Sequence, residues 1–172
     1  MIENDSTLTQ ERLKKVINYD SGTGEFIWLH NRIRTDLIGM PAGSINGDGY
    51  RTIRIDRVLY QAHRLAFLYM TGKFPPADVD HINRNRADNR WDNLREATRS
   101  QNCFNKAMIS TNTSGVKGVY WHKRNKKWTV RVQIEKKFSY LGIYEDLELA
   151  ELVANEARVK YYGDFFKKKD LI

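Results

Sequence analysis

Apolar positions in the first third of the chain recur in short, interrupted patterns. Over 8–18, Leu8, Leu13, Val16 and Ile17 fall at helical spacing behind Thr7 or Thr9, either of which is a candidate N-cap, so a short helix is expected. Ser21-Gly22-Thr23-Gly24 breaks the pattern, and 25–29 is rich in β-forming residues. After a turn-rich stretch over 39–49, Tyr50, Thr52 and Arg54 alternate with Arg51, Ile53 and Ile55 as in a half-exposed strand. Leu59, Ala62, Leu65, Ala66 and Tyr69 then predict an amphipathic helix over 59–70, stopping at Gly72 ahead of Pro75-Pro76.

The segment 78–106 is polar and rich in Asn and Arg, but too patterned to be a linker. Thr98 with Gln101 three residues on forms a capping-box pattern, so a helix is expected to begin at Thr98. Residues 109–114 are small, polar and almost uncharged, which places a linker there between domains over 1–108 and 115–172. Beyond it come β-like runs over 118–122, 128–134 and 138–144, and a helix over 148–161. Leu149, Leu152, Val153, Ala157 and Tyr161 are expected to pack that helix on the sheet. Arg131 and Gln133 alternate with Val130, Val132 and Ile134, so they belong on the opposite face of the sheet. The fold class expected from this order is α+β.

Length and composition narrow the chemistry. A chain of 172 residues allows one ordinary domain or two small ones. At 41% hydrophobic residues, no apolar run approaches the ~18 residues a membrane span needs, so no membrane partner is expected. The N-terminus is polar and acidic, unlike a secretory signal. Cys103 is the only cysteine, which excludes an internal disulfide or a multi-cysteine zinc site and fits a reducing cytoplasm. The net charge of +8 is concentrated late. Residues 117–137 hold eight basic side chains and one acidic one among Tyr120, Trp121 and Trp128, pointing to a polyanionic partner. Without a Gly-rich phosphate loop, nucleoside-triphosphate chemistry and a small-molecule cofactor are not expected.

The densest run of chemistry-bearing side chains is Val79-Asp80-His81-Ile82-Asn83, then Asp88-Asn89-Arg90-Trp91-Asp92-Asn93-Leu94, then Thr98 to Asn102. Adjacent residues on a strand end can send a carboxylate to a metal and an imidazole to another ligand. A hard cation such as Mg²⁺ takes oxygen ligands and keeps waters, and Asp80 and Asn102 are candidate oxygen donors. His81, with an ordinary pKa of roughly 6.5, can accept a proton from water near neutrality. The Asp-His pair alone equally fits a turn carboxylate beside a surface histidine. His63 reads as a core or surface histidine, or as support for the site. His30 and His122 lack acidic companions, although His122 is also a candidate to face DNA. Asp88, Asn89 and Asp92 are close enough to hydrogen-bond the site residues or to form Asx turns, with turns preferred, and Cys103 reads as core.

His81, Asn93 twelve residues later and Asn102 nine residues after that resemble the HNH endonuclease motif in a His-Asn-Asn form. The run from His63-Arg64-Leu65 through Val79-Asp80-His81 and Asp92-Asn93-Leu94 to Asn102, with a motif core over 60–106, is similar to phage and intron-encoded homing endonucleases of that family. The resemblance implies a ββα-metal module, a β-hairpin and helix gripping one divalent cation per active site. It further implies Asp80 and Asn102 as metal ligands, His81 as general base, and Asn93 as the brace of the hairpin loop. Asparagine in place of the last histidine favours Mg²⁺ or Mn²⁺ over softer metals.

Residues 114–166 resemble the Apetala and ethylene-response-factor type of DNA-binding domain, through Gly118-Val119-Tyr120, Lys127-Trp128, Leu141-Gly142-Ile143-Tyr144, Asn155-Glu156-Ala157 and Gly163. That resemblance implies a three-stranded antiparallel sheet laid in the DNA major groove and backed by one helix. Lys117, Tyr120, His122, Arg124, Lys126, Trp128, Arg131, Gln133 and Tyr140 are the implied DNA-facing residues, with Trp128 equally readable as core. The expected function is a site-directed endonuclease acting on double-stranded DNA, as monomer or dimer, in the cytoplasm. The alternatives are a non-catalytic DNA-binding transcriptional regulator on the same fold, and an RNA-directed protein, since basic aromatic sheets also suit RNA.

Overall fold

Thr9 opens the first helix by accepting the Arg12 N–H on its hydroxyl at 3.2 Å, and α1 runs Gln10–Val16 with Leu13 and Val16 buried. The computed structural model describes residues 8–31, 34–105, 108, 110–134 and 137–165. Residues 1–7 and 166–172 of the expected domains, 106 of the motif core and 109 of the expected linker lie outside them. The chain passes from α1 straight into β1 (Ile17–Tyr19), which pairs antiparallel with β2 (Phe26–Trp28). The helix is therefore shorter than the 8–18 expected. Ile17 and Tyr19, β-branched and aromatic, pair across the strands with Trp28 and Phe26 instead of extending it.

A second antiparallel sheet has the order β3 (Ser44–Ile45), β4 (Arg51–Ile55), β5 (Val58–Gln61). Between β4 and β5 stand Asp56 and Arg57, both at positive φ (46° and 71°), the pair of left-handed residues that a two-residue type I′ hairpin needs. Residues 59–61 are thus strand, and α2 runs Ala62–Thr71, shorter at its start than expected. Gly72 closes it in the left-handed conformation, its N–H bonded to the Leu68 carbonyl. Leu13, Ile17, Phe26, Ile53, Ile55, Leu65 and Leu68 form the centre of one apolar core beneath these elements. A third sheet, the hairpin of β6 (Asp78–His81) and β7 (Leu94–Ala97), packs Val79 and Leu94 against that core.

The chain divides into two units, Met1–Ala97 and Thr98–Ile172. The division falls ahead of the expected linker because α3 (Arg99–Phe104) belongs to the second unit. Its Phe104 ring stacks on Tyr162 at 3.8 Å, and Lys117 Nζ donates to the Phe104 carbonyl at 2.8 Å. The expected capping box is present: Thr98 Oγ1 accepts from Gln101 N–H and Gln101 Oε1 from Thr98 N–H. Within the expected linker, Asn112 Oδ1 accepts from the N–H groups of Ser114 and Gly115.

In the second unit, β8 (Val119–His122), β9 (Lys127–Ile134) and β10 (Lys137–Tyr144) form an antiparallel sheet with β9 central, and α4 (Leu147–Tyr162) packs on it. The inward face of α4 is Ala150, Ala154 and Ala157, over Val119, Val130 and Val132. Leu149 and Leu152, expected to face the sheet, are 47% and 54% exposed. Small alanines let the helix axis approach the sheet, which leaves no room beneath for leucines on that stripe. Among the described residues, no helix is long and apolar enough to cross a membrane.

Candidate active site

Asp80 and His81 occupy the last two positions of β6. Successive residues of a strand point to opposite faces, so the carboxylate and the imidazole enter different surroundings. Asp80 lies opposite Arg95 in the hairpin register and His81 opposite Leu94. Asp80 Oδ2 accepts from Arg95 Nε at 2.8 Å and sits 2.7 Å from Arg95 Nη2, with only 5% of the Asp80 side chain exposed.

The loop joining β6 to β7 is organised from its far end. Asn93 Oδ1 accepts the Asn83 N–H at 2.8 Å, its Nδ2 donates to the Asp88 carbonyl at 2.7 Å, and its carbonyl accepts from Ile82 N–H. Asn83, Asn85 and Asp88 accept backbone N–H groups two residues ahead, so Asp88 is a turn residue as the sequence suggested, held also by Arg90 at 2.7 Å. The Arg90 guanidinium keeps the Asp88 carboxyl below its usual range. Asn89 departs from the turn reading: it is 1% exposed, and its Oδ1 lies 3.4 Å from His81 Nε2.

Aromatic and imidazole rings surround His81. His63, on α2, meets it edge-on with ring centres 5.1 Å apart, and Tyr50 lies 5.9 Å from His81 and 5.3 Å from His63. Burial lowers the pKa of His81, opposed in part by the Asn89 hydrogen bond and the carboxylates of Asp80 and Asp88. His63 is lowered further, to about 3, by burial and by repulsion from His81 and Arg64. Both imidazoles are neutral at pH 7, which leaves His81 able to take up a proton.

A divalent cation would need oxygen donors. Among the described residues no three His, Cys, Asp or Glu side chains cluster as a metal site. The sequence-derived donors, the Asp80 carboxylate and the Asn102 amide, are few but of the hard oxygen type that Mg²⁺ takes together with waters and substrate phosphate. Asp80 Oδ2 is already paired with the Arg95 guanidinium, which a cation at that oxygen would have to share or displace. Each of the two residues, taken by itself, is a donor of the kind such a cation accepts. Asn102 lies half-buried on α3, in the second unit, and its N–H donates to the Thr98 carbonyl.

Of the residues assigned to DNA, Tyr120, Arg131, Gln133 and Tyr140 share the face of the second sheet turned away from α4. Arg131 pairs across the strands with Tyr140, and Gln133 with Phe138. Phe138, 69% exposed and two residues before Tyr140, lies on the same face and is not among the residues assigned from the sequence. Arg124 and Lys126 are exposed in the β8–β9 turn. His122 is partly committed to that turn, accepting the Asn125 N–H on Nδ1. Lys117 is half-buried and tied to the Phe104 carbonyl. Trp128 is half-buried: it packs against the Val119, Val130 and Ala150 cluster and meets Trp121 edge-on at 4.8 Å, because its strand position shares the inward face with Val130.

Residues 60–103 match the family model described as HNH endonuclease. Protein 3.8 of Escherichia phage T7 is 34% identical over 89 residues, which are 51% of this chain and 71% of that protein. The solved structure of the HNH homing endonuclease I-HmuI, a DNA-binding and DNA-cleaving protein, is 22% identical. It covers 73% of this chain and 71% of that one with a TM-score of 0.42.

Proposed function

The chain belongs to one family with phage T7 protein 3.8 and carries an HNH endonuclease domain, and from that premise we propose that it is a metal-dependent, site-directed endonuclease of double-stranded DNA. The observation that carries the reading is the adjacent buried pair Asp80 and His81 on one hairpin strand, inside the matched residues, with Asn93 tying the loop between the strands. In this proposal Asp80 and Asn102 are the ligands of Mg²⁺ or Mn²⁺, as the resemblance to the HNH motif implies. Such a cation, when bound, stabilises charge on the phosphoryl and leaving oxygens. His81, neutral at pH 7, takes a proton from water. The resulting hydroxide oxygen bonds to phosphorus as the bond to the 3′ oxygen breaks, leaving 5′-phosphate and, after protonation, 3′-hydroxyl ends. Asn93 keeps the loop in place around His81.

The sheet face bearing Tyr120, Arg131, Gln133, Phe138 and Tyr140 serves in this reading as the DNA-delivery surface. Arginine suits guanine edges and glutamine adenine, with phosphate contacts from Arg124 and Lys126. The reading is tested by incubating supercoiled DNA with the wild-type chain and His81→Ala, with Mg²⁺ or EDTA. Open-circular or linear product that disappears with EDTA and with His81→Ala, while DNA binding persists, is the expected result. Binding without cleavage across Mg²⁺, Mn²⁺ and several genomic DNAs would overturn it.

A further inference from the structure

The first 49 residues carry no motif of their own, yet they reach the candidate base through one asparagine. Asn89 Nδ2 donates to the Ala87 carbonyl at 3.1 Å, and a carbonyl can only accept. That bond orients the amide and leaves Oδ1 toward His81 Nε2, at 3.4 Å. An amide oxygen has no proton to give, so the nitrogen facing it carries one. In the neutral ring the lone pair then sits on Nδ1.

Asn89 is itself held from the β1–β2 hairpin. Tyr19 donates its hydroxyl to the Asn89 carbonyl at 2.7 Å in a buried bond. The Trp91 N–H donates to the Ser21 carbonyl at 2.9 Å, attaching the same loop to the β1–β2 turn. Gly24, at φ 75°, closes that turn so tightly on the loop that a Cβ there would lie 2.4 Å from Arg90 N and 2.5 Å from Asn89 C. Any other residue at 24 would push the loop away from the hairpin.

We propose that Asn89 and Tyr19 are positioning residues for His81: the N-terminal hairpin fixes Asn89, and Asn89 fixes the Nε2–H tautomer and ring orientation that direct Nδ1 at the reacting water. The inference rests on the reading of His81 as general base. It assigns the N-terminal hairpin a part in catalysis although none of its residues touches the reacting atoms.

The test pairs ring-nitrogen NMR of the full-length chain, in wild type, Asn89→Ala, Asn89→Asp and Tyr19→Phe, with steady-state nicking. The His81 signals are assigned by their loss in His81→Gln. The wild type is expected to show the Nε2–H tautomer. Asn89→Ala should give a mixture of tautomers and lower kcat by at least about tenfold, with KM for DNA nearly unchanged, as for a misdirected general base. Asn89→Asp, which keeps an acceptor at that place, should restore the tautomer and much of kcat. Tyr19→Phe should move both readouts in the same direction as Asn89→Ala, by less. An Nδ1–H tautomer in the wild type, or an unchanged tautomer and kcat in Asn89→Ala, overturns the proposal. If Asn89→Ala does not fold, Tyr19→Phe, which removes a single hydroxyl, decides in its place. A wild type that cuts no DNA sinks the nuclease reading, while the tautomer shift still decides whether Asn89 positions His81.

Discussion

Arg95 faces Asp80 directly across the β6–β7 hairpin and sets two guanidinium nitrogens, at 2.7 and 2.8 Å, on a single carboxylate oxygen. With the Asp80 side chain 5% exposed and that of Arg95 17%, this pair sits largely out of water. Breaking such a pair from one side leaves a buried charge behind, at a cost of about 3 kcal/mol. Arg95→Ala is therefore expected to lower the urea midpoint markedly. Because the orphaned carboxylate is the proposed metal ligand, millimolar Mg²⁺ should recover more stability in Arg95→Ala than in wild type. Urea melts with and without Mg²⁺ check this, and an equal Mg²⁺ effect in both proteins would remove Asp80 from the ligand set.

Asn93 makes its two side-chain bonds to the backbone near the start and in the middle of the β6–β7 loop, so its loss leaves an N–H and a carbonyl without their partner. Asn93→Ala should destabilise the chain by about 1–3 kcal/mol and reduce nicking at DNA concentrations that saturate binding. Asn93→Asp keeps the acceptor for Asn83 N–H and loses the donor to the Asp88 carbonyl, so it should fall between Asn93→Ala and wild type. Denaturant titration alongside single-turnover cleavage separates the two effects.

What could be read beforehand divides along the range of the interactions. The Thr9 cap, the Thr98–Gln101 box and the alternation of Val130 and Val132 with Arg131 and Gln133 are set by neighbours within a few residues, and each was visible in the sequence. The β4–β5 hairpin was not, because Asp56-Arg57 adopts its turn without glycine, and Arg12, 44 residues away, holds Asp56 in place by a two-point ion pair. Asn89 has the composition of a turn residue, and its partners Tyr19 and His81 come from other elements. The spacing of Asp80, His81 and Asn93 was legible as a pattern, and the roles given to them are the proposal built on it. Arg95 was not, because cross-strand register decides which of several arginines meets Asp80.

His63 predicts an acid-side loss of stability. Buried against His81, Tyr50 and Arg64, it is neutral in the native state down to about pH 3, while in the unfolded chain it titrates near its ordinary 6.5. Above pH 6.5 neither state holds the proton. As pH falls from 6.5 toward 3, the unfolded chain binds a proton that the native chain refuses. Stability then drops by up to about 1.4 kcal/mol per pH unit for this group. His81, also lowered, adds in the same direction. Asp56 and Asp88, held low by Arg12 and Arg90, act with the same sign but only near and below their ordinary 3.8. The window from pH 6.5 to 5 therefore isolates the histidines. His63→Gln should flatten the slope of urea midpoint against pH there, and an unchanged slope would assign it elsewhere.

The second sheet separates residues that bind from residues that pack, and substitutions on its two faces should differ in kind. Arg131 and Tyr140 face each other on the exposed side, with Phe138 two positions along the same strand. Arg131→Ala should leave the melting temperature nearly unchanged, weaken binding to duplex DNA, and lower the dependence of log Kd on log salt by about one counterion if Arg131 holds a phosphate. If it reads a base instead, the salt slope persists and discrimination among sequences falls by about 1–3 kcal/mol at one position. Phe138→Ala removes an exposed ring from the edge strand, so a loss of affinity without loss of stability identifies a contact surface. Trp128→Ala should do the reverse. Its ring packs on Val119, Val130 and Ala150 and braces Trp121, so its removal should cost about 3 kcal/mol or more of stability and reduce DNA binding only as the fold is lost. Thermal melts beside salt-dependent binding isotherms for the three variants test the division. A Trp128→Ala chain that stays fully folded but no longer binds DNA would return Trp128 to the interface.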